Sequence, residues 1–228
     1  MNYKKIGMVV AMDKEISPFL DKMGKALKTQ EVGGHKVLSY KINGKEVYLI
    51  KSGIGEIYAA SSTAILINLF KCDLILNFGV CGSLINKVGV MQSVVVNGVV
   101  HYDFDLSEID NVKVGQYPGY DTPVIPCDDR YIPIIKKVMG DVSEAICASA
   151  DKFVADKDKK EYLYSTFGAT VCDMESAGVL LTSSGANVPA IIIKAVSDGE
   201  GGVEDFNALV HKASLQYVNA VNEIIKEF

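Results

Sequence analysis

The chain has little of what several common classes of protein depend on. It contains no tryptophan, three histidines and a single arginine, Arg130, in 228 residues. A formal net charge of -5 argues against a nucleic-acid partner, because such partners are bound by a basic stripe. No apolar run approaches the roughly 20 residues that a membrane-spanning helix needs. Neither a nucleic acid nor a membrane is therefore predicted as a partner.

Cysteine and histidine are too dispersed to predict a metal site. The five cysteines are odd in number and widely spaced, and they lie mostly among apolar residues, which is typical of free thiols in a reducing cytosol. No CxxC pair or His/Cys cluster occurs. The apolar run near the N-terminus is broken at Asp13, which makes it too short for the core of a signal peptide. We therefore predict a cytoplasmic protein that uses no metal.

Short apolar runs alternate with helical patterns along the chain. Runs rich in β-branched residues predict buried strands at 6–12, 46–53, 73–79, 93–100 and 190–198. Helical periodicity predicts helices at 15–27, 56–70, 129–139, 173–184 and 206–228, and residues 114–129 are predicted to form a long loop. This alternation predicts a three-layer α/β/α sandwich with a central mixed, largely parallel sheet, in one domain over residues 1–228.

Acids and glycines follow the predicted strands, at the edge of the sheet where ligands bind in such folds. Glu15 comes after the first strand, and Ser197 and Asp198 end the last. The stretches "SGIG" (52–55) and "NFGVCGSL" (77–84) match neither the dinucleotide fingerprint nor the P-loop in spacing. They are open to two interpretations, a backbone cradle for a sugar or anion and a pair of tight turns, of which tight turns are commoner.

Each acid alone has an ordinary explanation. Asp173 fits the start of the predicted helix as a helix-terminus acid, and Glu15 and Asp198 fit a first turn and a loop. Glu175 differs, because the residues three and four positions later are small or apolar and offer it no basic partner. Glu15, Glu175 and Asp198 together, on one edge and without a basic cluster, indicate acid/base chemistry or binding of sugar hydroxyls.

Five motifs in order resemble a known family. "AMDKEI", "SGIG", "NFGVCGSL", "DMESAG" and "AVSDG" extend over almost the whole chain and resemble the nucleoside phosphorylase/nucleosidase superfamily, most closely its 5'-methylthioadenosine/S-adenosylhomocysteine nucleosidases. The resemblance implies a nucleoside phosphorylase-like fold without a cofactor. It also implies hydrolysis of the N-glycosidic bond of 5'-methylthioadenosine and/or S-adenosylhomocysteine, which releases adenine for methionine salvage.

The resemblance also implies residue roles. Glu15 would activate the attacking water, and Asp198 would protonate N7 of the purine. Glu175 would bind the ribose hydroxyls while Met174 packs on the ribose, and the segment "ADKFV" would hold adenine. The full set of implied substrate-binding positions is Glu175, Met174, Phe153, Val154, Ser197, Gly79, Val80 and Lys194.

Four positions depart from the family pattern: Ala150 stands where glycine is usual, and of the other three Lys194 and Val80 belong to the water or ribose side of the pocket. Lys194 stands where the nucleosidases usually have arginine, Val80 where they have serine, and Asp173 where they have glutamate. Two alternatives therefore stay open. One is a phosphorylase, although Arg130 is the only arginine and phosphate would have to rely on Lys194 or Lys14. The other is a catalytically weakened nucleoside-binding protein.

The family's members are commonly homodimers in which the neighbouring subunit helps to close the subsite for the 5' group. The resemblance thus implies a homodimer here, with the tyrosine-rich loop at Gln116–Tyr120 as the candidate contact.

Overall fold

The computed structural model describes residues 3–85, 87–140 and 142–228. The strands of the described chain are β1 (Lys5–Val10), β2 (Lys28–Val32), β3 (His35–Ile42), β4 (Lys45–Lys51), β5 (Leu74–Ser83), β6 (Ser93–His101), β7 (Ile125–Pro126), β8 (Ser143–Ser149), β9 (Val171–Asp173) and β10 (Ala190–Asp198). The helices are α1 (Asp13–Met23), α2 (Glu56–Asn68), α3 (Ile132–Met139), α4 (Lys157–Phe167), α5 (Ser176–Gly185) and α6 (Val203–Glu227), and a short 3-10 turn, Asp129–Tyr131, precedes α3.

All strands belong to one mixed sheet. Parallel ladders join β4 to β1, β1 to β5 and β5 to β10, while β2 and β3 extend the edge beyond β4 in antiparallel hairpins. From β10 the sheet continues through β6, β8 and β9, and β9 pairs back onto β5. Because β1, β5 and β10 are parallel neighbours, their carboxyl ends lie at one edge of the sheet.

Helices cover both faces of the sheet. Buried side chains of α1, α3 and α6 pack against one face, and those of α2 and α5 pack against the other. Strands β5 and β10 are buried at every residue, which explains why their sequences are continuously apolar rather than alternating. This arrangement confirms the predicted mixed α/β fold with a central sheet and flanking helices.

Several predicted boundaries near the sheet edge are wrong: β1 ends at Val10 rather than at 12, and β4 at Lys51 rather than at 53. Strand β5 does not end at 79 but continues to Ser83, so "NFGVCGS" is strand rather than a tight turn. The reason is that β10 extends the ladder, pairing Lys194 with Gly79 and Ala195 with Val80. The helix predicted at 173–184 begins only at Ser176, because Asp173 ends strand β9, which pairs with β8 and β5.

Several strands were not predicted from the sequence. Strands β2 and β3 carry polar residues at many positions because they form the exposed edge, and β8 is built largely from small residues. The predicted loop at 114–129 contains the two-residue strand β7 and the start of the 3-10 turn. Within the described ranges, no helix has both the length and the apolar character needed to cross a membrane.

Candidate active site

A cavity of about 300 Å³ opens where β1, β5, β9 and β10 end. Eight of the ten residues singled out from the sequence line it: Glu15, Val80, Phe153, Val154, Met174, Glu175, Ser197 and Asp198. The other two, Gly79 and Lys194, are paired neighbours in the strands behind it. The cavity therefore gathers side chains from both halves of the sequence.

Glu15 is held in place by the backbone around it. It lies in the first turn of α1 and is buried; its Oε2 accepts a hydrogen bond from the Met12 N–H at 2.9 Å and its Oε1 accepts one from the Val80 N–H at 2.7 Å. A Cβ at Gly79 would lie 2.6 Å from Oε1, so glycine is needed there for this close approach. Burial raises the pKa of Glu15, partly opposed by Lys194 and the two N–H donors. A carboxylate with a raised pKa is a stronger proton acceptor.

Asp198 ends β10 and is another buried residue of the lining. The Ser197 hydroxyl donates to its Oδ1 at 2.7 Å. A Cβ at Gly82 would lie 2.8 Å from Oδ2, so glycine again makes room for a carboxyl group. Burial raises the pKa of Asp198, with the Ser197 hydrogen bond opposing it. A raised pKa favours the protonated form that a general acid requires.

Glu175 takes the N-cap position of α5, directly after Met174 in the lining. Its Oε1 accepts a hydrogen bond from the Gly55 N–H at 3.1 Å, in the turn between β4 and α2. Gly55 has a φ of 112°, a conformation that favours glycine. Burial raises the pKa of Glu175, and Lys194 opposes that rise.

An aromatic side chain forms the outer wall. Phe153 is 44% exposed and lies edge-on to Phe206 of α6, with ring centroids 5.8 Å apart. The exposed part of the Phe153 ring is suited to stacking on a flat base. Further residues line the cavity without having been singled out individually from the sequence, and Asp173, predicted only as a helix-terminus acid, is among the lining; the others are Met12, Ile54, Cys81, Gly82, Lys152, Cys172 and Phe206. No motif marks Phe206, which reaches the cavity only because α6 packs beside the site.

An ion pair lies beneath the acids. Lys194 Nζ is 2.8 Å from Asp173 Oδ2, and both side chains are almost completely inaccessible. Burial lowers the pKa of Lys194, but Asp173, Glu175 and Glu15 outweigh burial and raise it above its usual value. Burial by itself would raise the pKa of Asp173. The charge of Lys194 and the hydrogen bonds that Asp173 accepts from Lys194, Ser149 and Ser176 outweigh burial, so that the pKa is lowered. Both groups are therefore ionised, and Asp173 is more than a helix-terminus acid.

Comparison with known proteins identifies the family. The model of the phosphorylase superfamily matches residues 5–228. The 5'-methylthioadenosine/S-adenosylhomocysteine nucleosidase of Bacillus thuringiensis (strain Al Hakam) is 30% identical to this chain and covers 98% of it and 99% of its own length. The chain belongs to the methylthioadenosine/S-adenosylhomocysteine nucleosidase family.

Two solved structures from Helicobacter pylori are also similar to this nucleosidase. A 5'-methylthioadenosine/S-adenosylhomocysteine nucleosidase with butyl-thio-DADMe-Immucillin-A superposes with a TM-score of 0.93 at 27% identity, covering all of both chains. A futalosine hydrolase superposes with a TM-score of 0.93 at 28% identity, covering 99% of this chain and 98% of its own. The nucleosidase is therefore an N-glycosidic hydrolase, and the similarity extends over the whole fold.

Two of the positions that depart from the family pattern described above are partners in this structure. Lysine in place of arginine and aspartate in place of glutamate are the two members of one ion pair, Lys194 and Asp173. Both replacements conserve the charge at their positions. In the described part of the chain, no cluster of His, Cys, Asp and Glu has the geometry to hold a metal ion.

Loss of this ion pair is expected to destabilise the nucleosidase strongly. Lys194→Met leaves the Asp173 carboxylate buried without its cation, which typically costs about 3–5 kcal/mol. Lys226→Met is the matched control, because Lys226 pairs with Glu223 on the exposed side of α6 and such pairs contribute less than about 1 kcal/mol. Urea unfolding measures both losses. Equal losses in the two variants would show that burial does not make the Lys194 pair special.

Proposed function

We propose that this nucleosidase hydrolyses the N-glycosidic bond of an adenine nucleoside with a 5'-thio substituent, 5'-methylthioadenosine and/or S-adenosylhomocysteine, and releases adenine. The observation that carries the proposal is the convergence of Glu15, Glu175 and Asp198, all buried, on one cavity with an accessible aromatic face. The names of the relatives support the substrate class.

The three acids divide the chemistry of a reaction with an oxocarbenium-like transition state. Protonated Asp198 donates to N7 of the purine, so the base leaves neutral. Ionised Glu15 takes a proton from water as that water attacks C1' of the sugar. Glu175 accepts hydrogen bonds from the ribose hydroxyls, and Phe153 stacks on the base, a contact that contributes about 1–3 kcal/mol.

The cations of the site favour water over phosphate as the acceptor. Lys194 is occupied by Asp173, and Lys152, the only lysine or arginine among the described lining residues, pairs with Asp103 at 2.9 Å. Arg130 lies on the 3-10 turn, where its exposed side chain is bonded to Asp128. Phosphate recognition usually relies on arginine forks, and the described lining contains none.

A second candidate substrate follows from the futalosine hydrolase. That protein is as similar to this chain as the methylthioadenosine enzyme is. The acids described above act on a glycosidic bond, and a hydrolase with either substrate would use them in the same way. Futalosine is therefore the alternative substrate.

Release of free base separates these possibilities. Methylthioadenosine, S-adenosylhomocysteine and futalosine are each incubated with the enzyme, with and without phosphate, and the base is quantified by chromatography. We expect adenine from the first two at rates that phosphate does not change. Faster release from futalosine would favour the alternative substrate. Phosphate-dependent release would indicate a phosphorylase, and binding without release would indicate a binding protein.

We further propose a homodimeric, cytoplasmic enzyme with a single domain. Three large apolar side chains beside the cavity, Ile54, Ile57 and Tyr58, are more than half exposed, which favours a protein partner on that face. The loop Gln116–Tyr120 contributes Tyr117, which stacks on Phe104 at 3.8 Å. The five cysteines are free, in keeping with a reducing compartment. Sedimentation equilibrium measures the oligomeric state, for which we expect twice the chain mass.

A further inference from the structure

A fifth buried acid, Glu56, has no part in the reaction described above. It is the first residue of α2, and its carboxyl group is directed at α5 and at strand β8. Oε2 accepts a hydrogen bond from the Gly178 N–H, and Oε1 is hydrogen-bonded to the Ser149 hydroxyl. A Cβ at Gly178 would lie 2.4 Å from the Glu56 carbonyl oxygen, so the two helices are in close contact at this point.

The Ser149 hydroxyl lies between two carboxyl groups. Besides Glu56, it contacts Asp173 Oδ1 at 2.6 Å, and it accepts a hydrogen bond from the Ala177 N–H at 3.2 Å. A hydroxyl group has one proton and can donate to only one of the two acids. The other acid must itself be the donor, because two carboxylates cannot share a single donor at these distances.

The surroundings decide which acid carries the proton. Asp173 is paired with Lys194 and also accepts hydrogen bonds from Ser176, so it is ionised. The charged groups that act on Glu56 are Asp173 and Asp151, both acids. The pKa of Glu56 is raised to about 7, with burial as the largest cause and Asp173 next, although the hydrogen bonds of Ser149 and Gly178 oppose the rise. With Asp173 ionised, the Ser149 hydroxyl donates to Asp173, and we infer that a protonated Glu56 is the donor in its hydrogen bond with Ser149.

The remaining titratable groups around Glu56 are few. Tyr117 of the loop after β6 is close enough for Glu56 to raise its pKa, although burial is the larger cause. The Tyr117 hydroxyl is 2.8 Å from Nδ1 of His101, and burial lowers the pKa of His101. Lys194 of β10 is separated from Glu56 by Asp173. None of these contacts supplies Glu56 with a cation.

Glu56 is also connected to the ribose-binding acid. The turn before α2 is fixed by two backbone donors: the Glu56 N–H bonds to Asp151 Oδ1 at 2.7 Å, and the Gly55 N–H bonds to Glu175 Oε1 at 3.1 Å. A Cβ at Gly55 would lie 2.8 Å from Asp151 Oδ1, so the backbone of this turn is packed tightly against Asp151. A displacement of the start of α2 would thus move the donor that holds Glu175.

We propose that Glu56 is a positioning residue that acts in its protonated form, and that loss of its proton displaces the start of α2 and weakens the hold on Glu175. An ionised Glu56 would no longer donate to Ser149 and would place a second negative charge beside Asp173. Substrate binding therefore weakens as Glu56 ionises. The link to binding rests on the proposed role of Glu175, whereas the protonated state of Glu56 does not.

Kinetics as a function of pH test the link to binding. KM for methylthioadenosine is measured between about pH 5 and pH 9 in the wild type, in Glu56→Gln and in the exposed control Glu31→Gln. Glutamine donates to Ser149 and accepts from Gly178 at every pH. We expect KM to rise above about pH 7 in the wild type and the control, by up to about tenfold per pH unit, and kcat to change less. The rise is expected to be absent in Glu56→Gln, and identical profiles would overturn the link.

Thermal unfolding tests the protonated state without any substrate. Because the pKa of Glu56 is raised from 4.5 to about 7, its contribution to stability is complete below about pH 4.5 and is lost as pH rises through about 7. The Tm of the wild type is therefore expected to fall relative to Glu56→Gln across this window, and Glu31→Gln is expected to follow the wild type. Parallel curves for all three would overturn the proposal even if the enzyme cleaved another substrate. Glu56→Met, also neutral and of similar size, provides a second comparison if the glutamine variant does not fold.

Discussion

Asp198→Asn is expected to lower kcat for methylthioadenosine by about 10²- to 10⁴-fold, the usual contribution of a general acid. The amide has the shape of the carboxyl group and still accepts the Ser197 hydrogen bond, so the fold is expected to persist. What it lacks is an acidic proton for the purine. Adenine release measures kcat, and Asp21→Asn, an exposed acid on α1, is the matched control.

A substrate whose leaving group needs no proton sharpens this test. In the 4-nitrophenyl glycoside of the same sugar, the leaving group is 4-nitrophenolate, a stabilised anion that needs no proton. Asp198→Asn is therefore expected to retain most of its activity towards this substrate. Equal losses with both substrates would mean that Asp198 does not act as the acid. A near-normal kcat of Asp198→Asn with methylthioadenosine would show that Asp198 is not a catalytic residue.

Glu15→Gln is the second variant expected to lose about 10²- to 10⁴-fold in kcat, because an amide cannot take a proton from water. Wild-type activity is expected to fall at low pH as Glu15 becomes protonated, and its raised pKa places this fall above the 4.5 of an ordinary glutamate. The residual activity of Glu15→Gln is expected to lack this acidic limb. Rates of adenine release across the pH range show both effects.

Stability must be measured beside these rates. Two backbone donors, from Met12 and Val80, bond to separate oxygens of Glu15, whereas glutamine offers one oxygen. One N–H would then face the amide nitrogen, at a cost of about 1–3 kcal/mol. The loss of kcat is attributed to chemistry only if the variant is folded at the assay temperature. A folded Glu15→Gln enzyme with wild-type kcat would exclude Glu15 as the base.

The location of the acids at one edge of the sheet could be predicted from the sequence. Glu15 follows one apolar run and Asp198 ends another; both runs were correctly predicted as buried strands, and parallel strands bring their carboxyl ends to one edge. Glu175 was singled out because its helical neighbours are small and apolar. For Glu15 and Asp198 a local pattern and one rule of sheet topology were enough to predict a shared edge.

Other features depend on contacts that no local pattern reveals. The pairing of Lys194 with Asp173 depends on where β9 and β10 lie in the sheet, and β9 is only three residues long. Glu56 looks like an ordinary first-turn acid until Gly178 and Ser149 enclose it. Phe206 enters the cavity through the packing of α6. Strand β2 at the edge of the sheet and its neighbour β3 are polar enough to resemble loops.

The identity of the sugar product tests the central claim most directly. Methylthioadenosine is cleaved in ¹⁸O-labelled water with phosphate in excess, and the sugar is analysed by mass spectrometry before its anomeric oxygen exchanges with solvent. Our account predicts free methylthioribose with one ¹⁸O atom at C1, at a rate that phosphate does not change. A sugar 1-phosphate, or a sugar without the label, would contradict it.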